Sequence, residues 1–245
     1  MRIFTKLLAT ELRLLLREPL TAFFTLLFPT LLVVVLSFVP GFREPDPNLG
    51  GLRVIDLYVA IAIAMTLAML GLQFMPSMLA LYREKGILRR LYTTPVHPSK
   101  VLIGQLLVSC AVAAAMAVVV VVAGAIIGFP PPAQPLGFVL AFVLGALALF
   151  AVGLLVAAIV PTARMATAVG MLLFFVNMFT GGVFTPREAL PGFLTRIGDF
   201  MPLGATMQAV RDAWDGHFPQ LLHLGVLATI TVVFGLAAAR LFRWE

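Results

Sequence analysis

Val101 to Ala163, VLIGQLLVSCAVAAAMAVVVVVAGAIIGFPPPAQPLGFVLAFVLGALALFAVGLLVAAIVPTA, is a run of 63 residues without one Asp, Glu, Lys or Arg. A helix needs about 20 apolar residues to cross a bilayer, so this run is too long for one crossing. It divides at Phe129-Pro130-Pro131-Pro132-Ala133-Gln134-Pro135, where proline removes backbone donors and forces a turn. Two crossings joined by a tight loop follow. Outward from this stretch the pattern repeats. Residues 19–42, 57–82, 165–186 and 216–239 are also free of charge, and each is one crossing long. The 245-residue chain is 61% apolar and only 11% charged, against about 25% charged in soluble domains. These numbers exclude a soluble, disordered, collagen-like or disulfide-stapled protein. The sequence predicts an all-α integral membrane protein, one domain over 1–245, with spans at about 20–39, 57–79, 101–127, 136–160, 166–184 and 221–241.

Orientation follows from where the charge sits. With six spans both termini share a side, and that side carries 12 of the 17 Lys and Arg residues. The positive-inside rule places both termini in the cytoplasm of a multi-pass protein of the inner or plasma membrane. The basic excess is thereby explained by topology, and no nucleic-acid partner is expected. The first apolar run follows a charged segment and lacks a small-x-small cleavage pattern, so it reads as a retained anchor.

Outside the spans, residues 1–18 place Arg2, Lys6, Arg13 and Arg17 on one helical face, with Phe4, Leu8, Leu12 and Leu15 elsewhere. They predict an amphipathic helix lying in the lipid headgroup layer. The external loop 40–56, rich in Pro and Gly, reads as irregular. In 185–220, Leu190, Phe193, Leu194 and Ile197, then Leu203, Met207, Val210 and Trp214, recur at helical spacing, and Pro191 and Pro202 stand where helices could begin. This predicts an external helical hairpin that dips into the membrane or caps the bundle. In the fourth span Gly137, Ala141 and Gly145, continued by Gly153 and Ala157, form a ladder of small residues suited to close helix packing; Gly124 and Gly128 end the third span in the same style.

Chemistry is conspicuously scarce. No serine stands in a Gly-x-Ser setting, the three histidines make no metal-binding pair, and Cys110 is the single cysteine. No acidic residue lies within a span, which removes the usual proton or cation site of a gradient-driven carrier. There is no Gly-Lys pair and hence no P-loop, so no catalytic residue, metal or cofactor is expected in this chain. Attention falls on the cytoplasmic loop 80–100. There Leu81, Leu88, Leu91 and Tyr92 form an apolar stripe beside Arg83, Arg89 and Arg90, a short mixed helix able to act as a lever for a soluble partner.

That loop, with YREKGILRRLYTTPV at 82–96, closely resembles the segment after the second span of type-2 ATP-binding-cassette (ABC) exporter permeases. LLREPLTAFFTLLFPTLL at 15–32 resembles the amphipathic helix and first span of that family. Phe179-Thr180-Gly181-Gly182-Val183-Phe184-Thr185-Pro186 resembles its fifth span and external hairpin, with Gly181-Gly182 where many members carry Ser-Gly. The resemblance implies two permease chains, expected as a homodimer in membrane lipid, resting on two copies of a separate ATPase that binds ATP and Mg. Arg83, Glu84, Lys85, Gly86, Leu88, Arg89 and Arg90 would form the coupling interface. Glu84 would pair with Arg or Lys of the ATPase, or locally with Arg89 or Lys85. The second and fifth spans would line the substrate path, which points to Gln73, Phe74 and Ser77, and to Phe174, Phe175, Asn177, Met178 and Thr180. Gly181, Gly182 and Phe184 would stand at the outer gate. The expected cargo is a hydrophobic or amphipathic compound such as a drug, antibiotic or lipid. A lipid-linked polysaccharide exporter, a gradient-driven carrier and a non-transporting membrane scaffold are the alternatives. For the path residues the plainer reading is packing, with Asn177 bonded to a neighbouring helix and the phenylalanines facing lipid.

Overall fold

The computed structural model describes residues 23, 27–44, 53–87, 99–184, 187 and 190–242. The 1–18 helix and Leu88, Arg89 and Arg90 of the coupling segment lie outside the described residues. Among the described residues the regular elements are helices: α1 Phe28–Ser37, α2 Val54–Ala68, α3 Met75–Glu84, α4 Ser99–Ile127, α5 Pro135–Ile159, α6 Ala163–Thr180, α7 Gly192–Phe200, α8 Pro202–Trp214 and α9 Leu221–Leu241. Five stretches are long and apolar enough to cross a membrane: Leu57–Glu84, Ile103–Ile127, Pro135–Ile159, Ala163–Thr180 and Leu221–Leu241. α5, at 25 residues, is about 37 Å long, enough for a hydrocarbon core of about 30 Å. Of the expected first span, α1 is the described part, ten residues of apolar helix.

Helices α2 and α3 form one buried rod. Ile55, Val59, Ala62, Ala64, Leu67, Leu72 and Met75 are completely enclosed, with α1, α4, α5, α6 and α8 packed on this span and α9 packed mainly on α5. The rod is not uniform. Met69–Phe74 is a wider π-helical turn. Its cause is local: Pro76 has no N–H to give Leu72, four residues earlier, and Met75 donates to Leu70 O instead of Gly71 O. The carbonyls of Gly71 and Leu72 thus leave their ordinary helical partners, and glycines of two other helices sit against them. A β-carbon on Gly153 of α5 would lie 1.9 Å from Gly71 O, and one on Gly170 of α6 would lie 2.1 Å from Leu72 O. Only hydrogen fits there.

The small-residue ladder of α5 is therefore a seam with two partners. Its N-terminal half, Gly137, Ala141 and Gly145, is buried against α8 and the segment after it, with Thr206 on Gly145 and Pro219 on Gly137. Its C-terminal half, at Gly153, meets the second span. Gly128 does not belong to this pattern, as the sequence reading had it. It terminates α4 with φ +95° while Phe129 N donates back to Gly124 O at 2.9 Å, the left-handed glycine stop that L side chains disfavour.

The hairpin expected within 185–220 is present as α7 and α8. Pro191 precedes the first helical residue and Pro202 starts the second helix. α8 is enclosed: Pro202 to Val210 are all buried, and Thr206 reaches Gly145, ten residues and about 15 Å along α5. The loop between α4 and α5 is stitched to the far end of α8. Trp214 Nε1 donates to Pro130 O at 3.1 Å and Gln134 N to Ala213 O at 3.0 Å. Arg53 stacks over Phe129 of the same loop at 5.3 Å.

Candidate functional site

The second span ends later than the charge pattern suggested. Instead of giving way to a loop at residue 80, the helix runs to Glu84, because Arg83 and Glu84 both bind the corner between α5 and α6. α5 ends at Ile159. Val160, preceding Pro161, takes extended backbone angles (φ −82°, ψ 128°), as a residue before proline prefers. Thr162 then caps α6, its hydroxyl accepting from Met165 N at 3.2 Å.

Arg83 donates to Ala157 O at 3.1 Å through Nη1 and to Val160 O through Nη2. Glu84 Oε1 accepts from Ala163 N at 3.1 Å. A cation thus sits on the carbonyl end of one helix and an anion on the amide end of the next, the arrangement both helix dipoles favour. Glu84 binds a partner that the sequence reading did not consider, a backbone amide 79 residues away. Lys85 and Gly86 form the turn that follows. Gly86 adopts φ +64°, so the mixed helix expected over 83–92 is interrupted there.

The residues expected along the path divide by burial. Phe74, Phe174 and Met178 belong to the hydrophobic core of this chain. Asn177 is 3% exposed and bonded at both ends of its carboxamide: Nδ2 donates to Leu173 O at 2.9 Å, and Oδ1 accepts from Leu203 N at 3.3 Å. Its carboxamide serves the first turn of α8, which Pro202 and Met201 cannot cap by side chain. All four are packed within the single chain. Gln73, Ser77 and Thr180 are half-buried, and Phe175 is 51% exposed. The hydroxyl of Ser77 donates to the carbonyls of Gln73 (2.7 Å) and Phe74 (2.9 Å), within the π-turn and its edge. Thr180 donates likewise to Val176 O at 2.9 Å. Phe175 meets Phe174 edge to face, centroids 5.7 Å apart.

At the other end of α6, Gly181 is buried, Gly182 turns the chain with φ +82°, and Phe184 is exposed. Two further glycines escaped notice in the sequence. A β-carbon on Gly198 would lie 2.2 Å from Thr180 O, and one on Gly204 would lie 2.2 Å from Gly198 O. They let α6, α7 and α8 meet backbone to backbone. A polar cluster nearby was also missed. Asp199 Oδ1 is shared by Arg187 and by His223 Nε2, the latter at 3.3 Å, tying the segment after α6 and the end of α7 to the start of α9. The signal was weak, since the three residues are far apart in sequence and none stands in a motif. Among the described residues no three His, Cys, Asp or Glu side chains group to hold a metal ion.

An enclosed second span, a buried helical hairpin and a charged corner between α5 and α6 now stand together. Residues 3–214 match the family of ABC-2 type transporters. The chain belongs to this family. The match ends at Trp214, the last residue of α8, and so leaves α9 outside it. No curated protein matches the chain significantly. As an ABC-2 member it is a multi-pass permease component of a transporter, not a catalytic chain, and such components typically pair with a separate ATPase subunit.

Proposed function

We propose that this ABC-2 permease exports a hydrophobic or amphipathic compound from the cytoplasm, driven by ATP hydrolysed on a separate subunit. Two copies of the chain, each on one ATPase, enclose the path. Six spans cross the membrane with both termini cytoplasmic; residues 1–18 lie in the headgroup layer, and α7 and α8 form a re-entrant hairpin on the outer side. The observation that carries the reading is a combination. These 245 residues match the family over 3–214 yet hold no Gly-Lys pair from which a nucleotide-binding loop could be built, which supports a motor on another polypeptide. Cargo chemistry follows from the side chains left for the path. Gln73, Ser77, Phe175 and Thr180 offer two hydroxyls, one amide and an aromatic face, with no charge among them. Such a surface suits an apolar body with a few polar groups. The two hydroxyls are already spent on backbone carbonyls, which favours apolar contact over hydrogen-bonded sugar recognition.

The test is reconstitution of the permease with its ATPase in liposomes. Hydrolysis stimulated by an amphipathic cargo, together with vectorial movement of that cargo, is the expected result. Transport by the permease alone, without any nucleotide-hydrolysing partner, overturns the reading.

A further inference from the structure

We propose that Arg83 and Glu84 are positioning residues that clamp the cytoplasmic end of the second span to the α5–α6 corner, so that force on the loop after Gly86 moves α3 and α6 as one body. The inference rests on the ATP-driven reading above for its source of force, but its geometry belongs to this chain alone. Neighbouring residues of opposite charge take opposite poles of one corner. Arg83 satisfies Ala157 O and Val160 O, carbonyls at the end of α5 where no further helical turn supplies donors. Glu84 satisfies Ala163 N, one of the first amides of α6, while Thr162 serves Met165 N. The side chains are not interchangeable: a carboxylate cannot donate to the carbonyls, and a guanidinium cannot accept from the amide.

The clamp stands between an enclosed rod and a turn. Towards the membrane, α3 continues into the fully enclosed rod, and Gly170 of α6 lies against Leu72 O, so α6 and the second span touch at two levels. Away from it, Gly86 turns the chain with φ +64°, and among the described residues nothing lies within 4 Å of where a β-carbon would be. The helical rod therefore ends directly after the held pair. A displacement of the loop is then delivered to both walls of the path instead of bending the second span alone.

The experiment uses the permease–ATPase complex in liposomes, with Glu84→Gln and Glu84→Ala. Glutamine keeps an oxygen for Ala163 N and loses only the charge at the helix end, so cargo moved per ATP falls by about twofold. Alanine loses the hydrogen bond, and the ratio falls by about fivefold. If Glu84 instead pairs with a cation of the ATPase, glutamine fails as badly as alanine, and the clamp is overturned. A second readout needs no ATPase: the distance between spin labels at Lys85 and Arg164, both exposed, in the detergent-solubilised permease. A narrow distribution that broadens in Glu84→Ala but not in Glu84→Gln supports the clamp; equal distributions in all three proteins overturn it. Absence of ATP-dependent transport by the wild-type complex would count against the exporter reading, and the label distances would still decide the clamp.

Discussion

Gly153→Ala adds one methyl group at the crossing of α5 with the second span, and the structure sets its consequence. The new β-carbon would stand 1.9 Å from Gly71 O and 3.0 Å from Gly71 C, whereas carbon and oxygen approach comfortably at about 3.3 Å. The obstacle is backbone, so no rotamer change relieves it, and the two helices must part by about 1.4 Å. Overpacking of a well-packed interior costs about 1–3 kcal/mol, and an immovable neighbour puts this case near 3 kcal/mol. For a chain of this size that is a fall of about 6–12 °C in melting temperature. Thermal unfolding of the purified permease in detergent, followed by size-exclusion chromatography with fluorescence detection, measures it. Gly235→Ala in α9 is the matched control, since it adds the same methyl with nothing within 4 Å. It should leave the melt unchanged or raise it slightly, because alanine is the better helix former by about 1 kcal/mol. Equal melting temperatures for the two variants would refute the reasoning that the glycine serves close approach.

Two other substitutions test assignments made above. Asn177→Ala strands Leu203 N–H in the interior and should cost about 1–3 kcal/mol in the same melt, with the range of transported compounds unaltered; a stable variant with altered selectivity would return Asn177 to the path. Asp199→Asn weakens the hold on Arg187 and His223 and should lower stability by about 1.5–3 kcal/mol, less in 1 M salt where exposed charge is screened; an unchanged melt would mean the cluster is incidental.

The spans were legible because a bilayer punishes charge and exposed backbone at every residue, so gaps in the Asp, Glu, Lys and Arg pattern bound α4, α5 and α9 closely. The 4, 3, 4 spacing of Leu203, Met207, Val210 and Trp214 located α8 for a similar reason: all four are buried. Periodicity says which face is hidden, however, not what hides it. The ladder of α5 was visible, but its partners Gly71 and Thr206 were not. Pro76 was the visible cause of the π-turn, yet the carbonyls it diverts gain meaning only where Gly153 and Gly170 arrive. Asn177 was placed on the path because the resemblance assigns the fifth span to it; nothing near it in sequence announced the backbone amide 26 residues on that it accepts from. Glu84 was read from the same resemblance as a contact of the ATPase or of Arg89 or Lys85, and its bond to Ala163 N, 79 residues on, lay outside any local pattern.

Gly71 and Leu72 hold their carbonyl oxygens under lids no thicker than a glycine hydrogen. Such contact leaves no room for a side chain to slide past, so relative motion at this depth must separate the helices instead of shearing them.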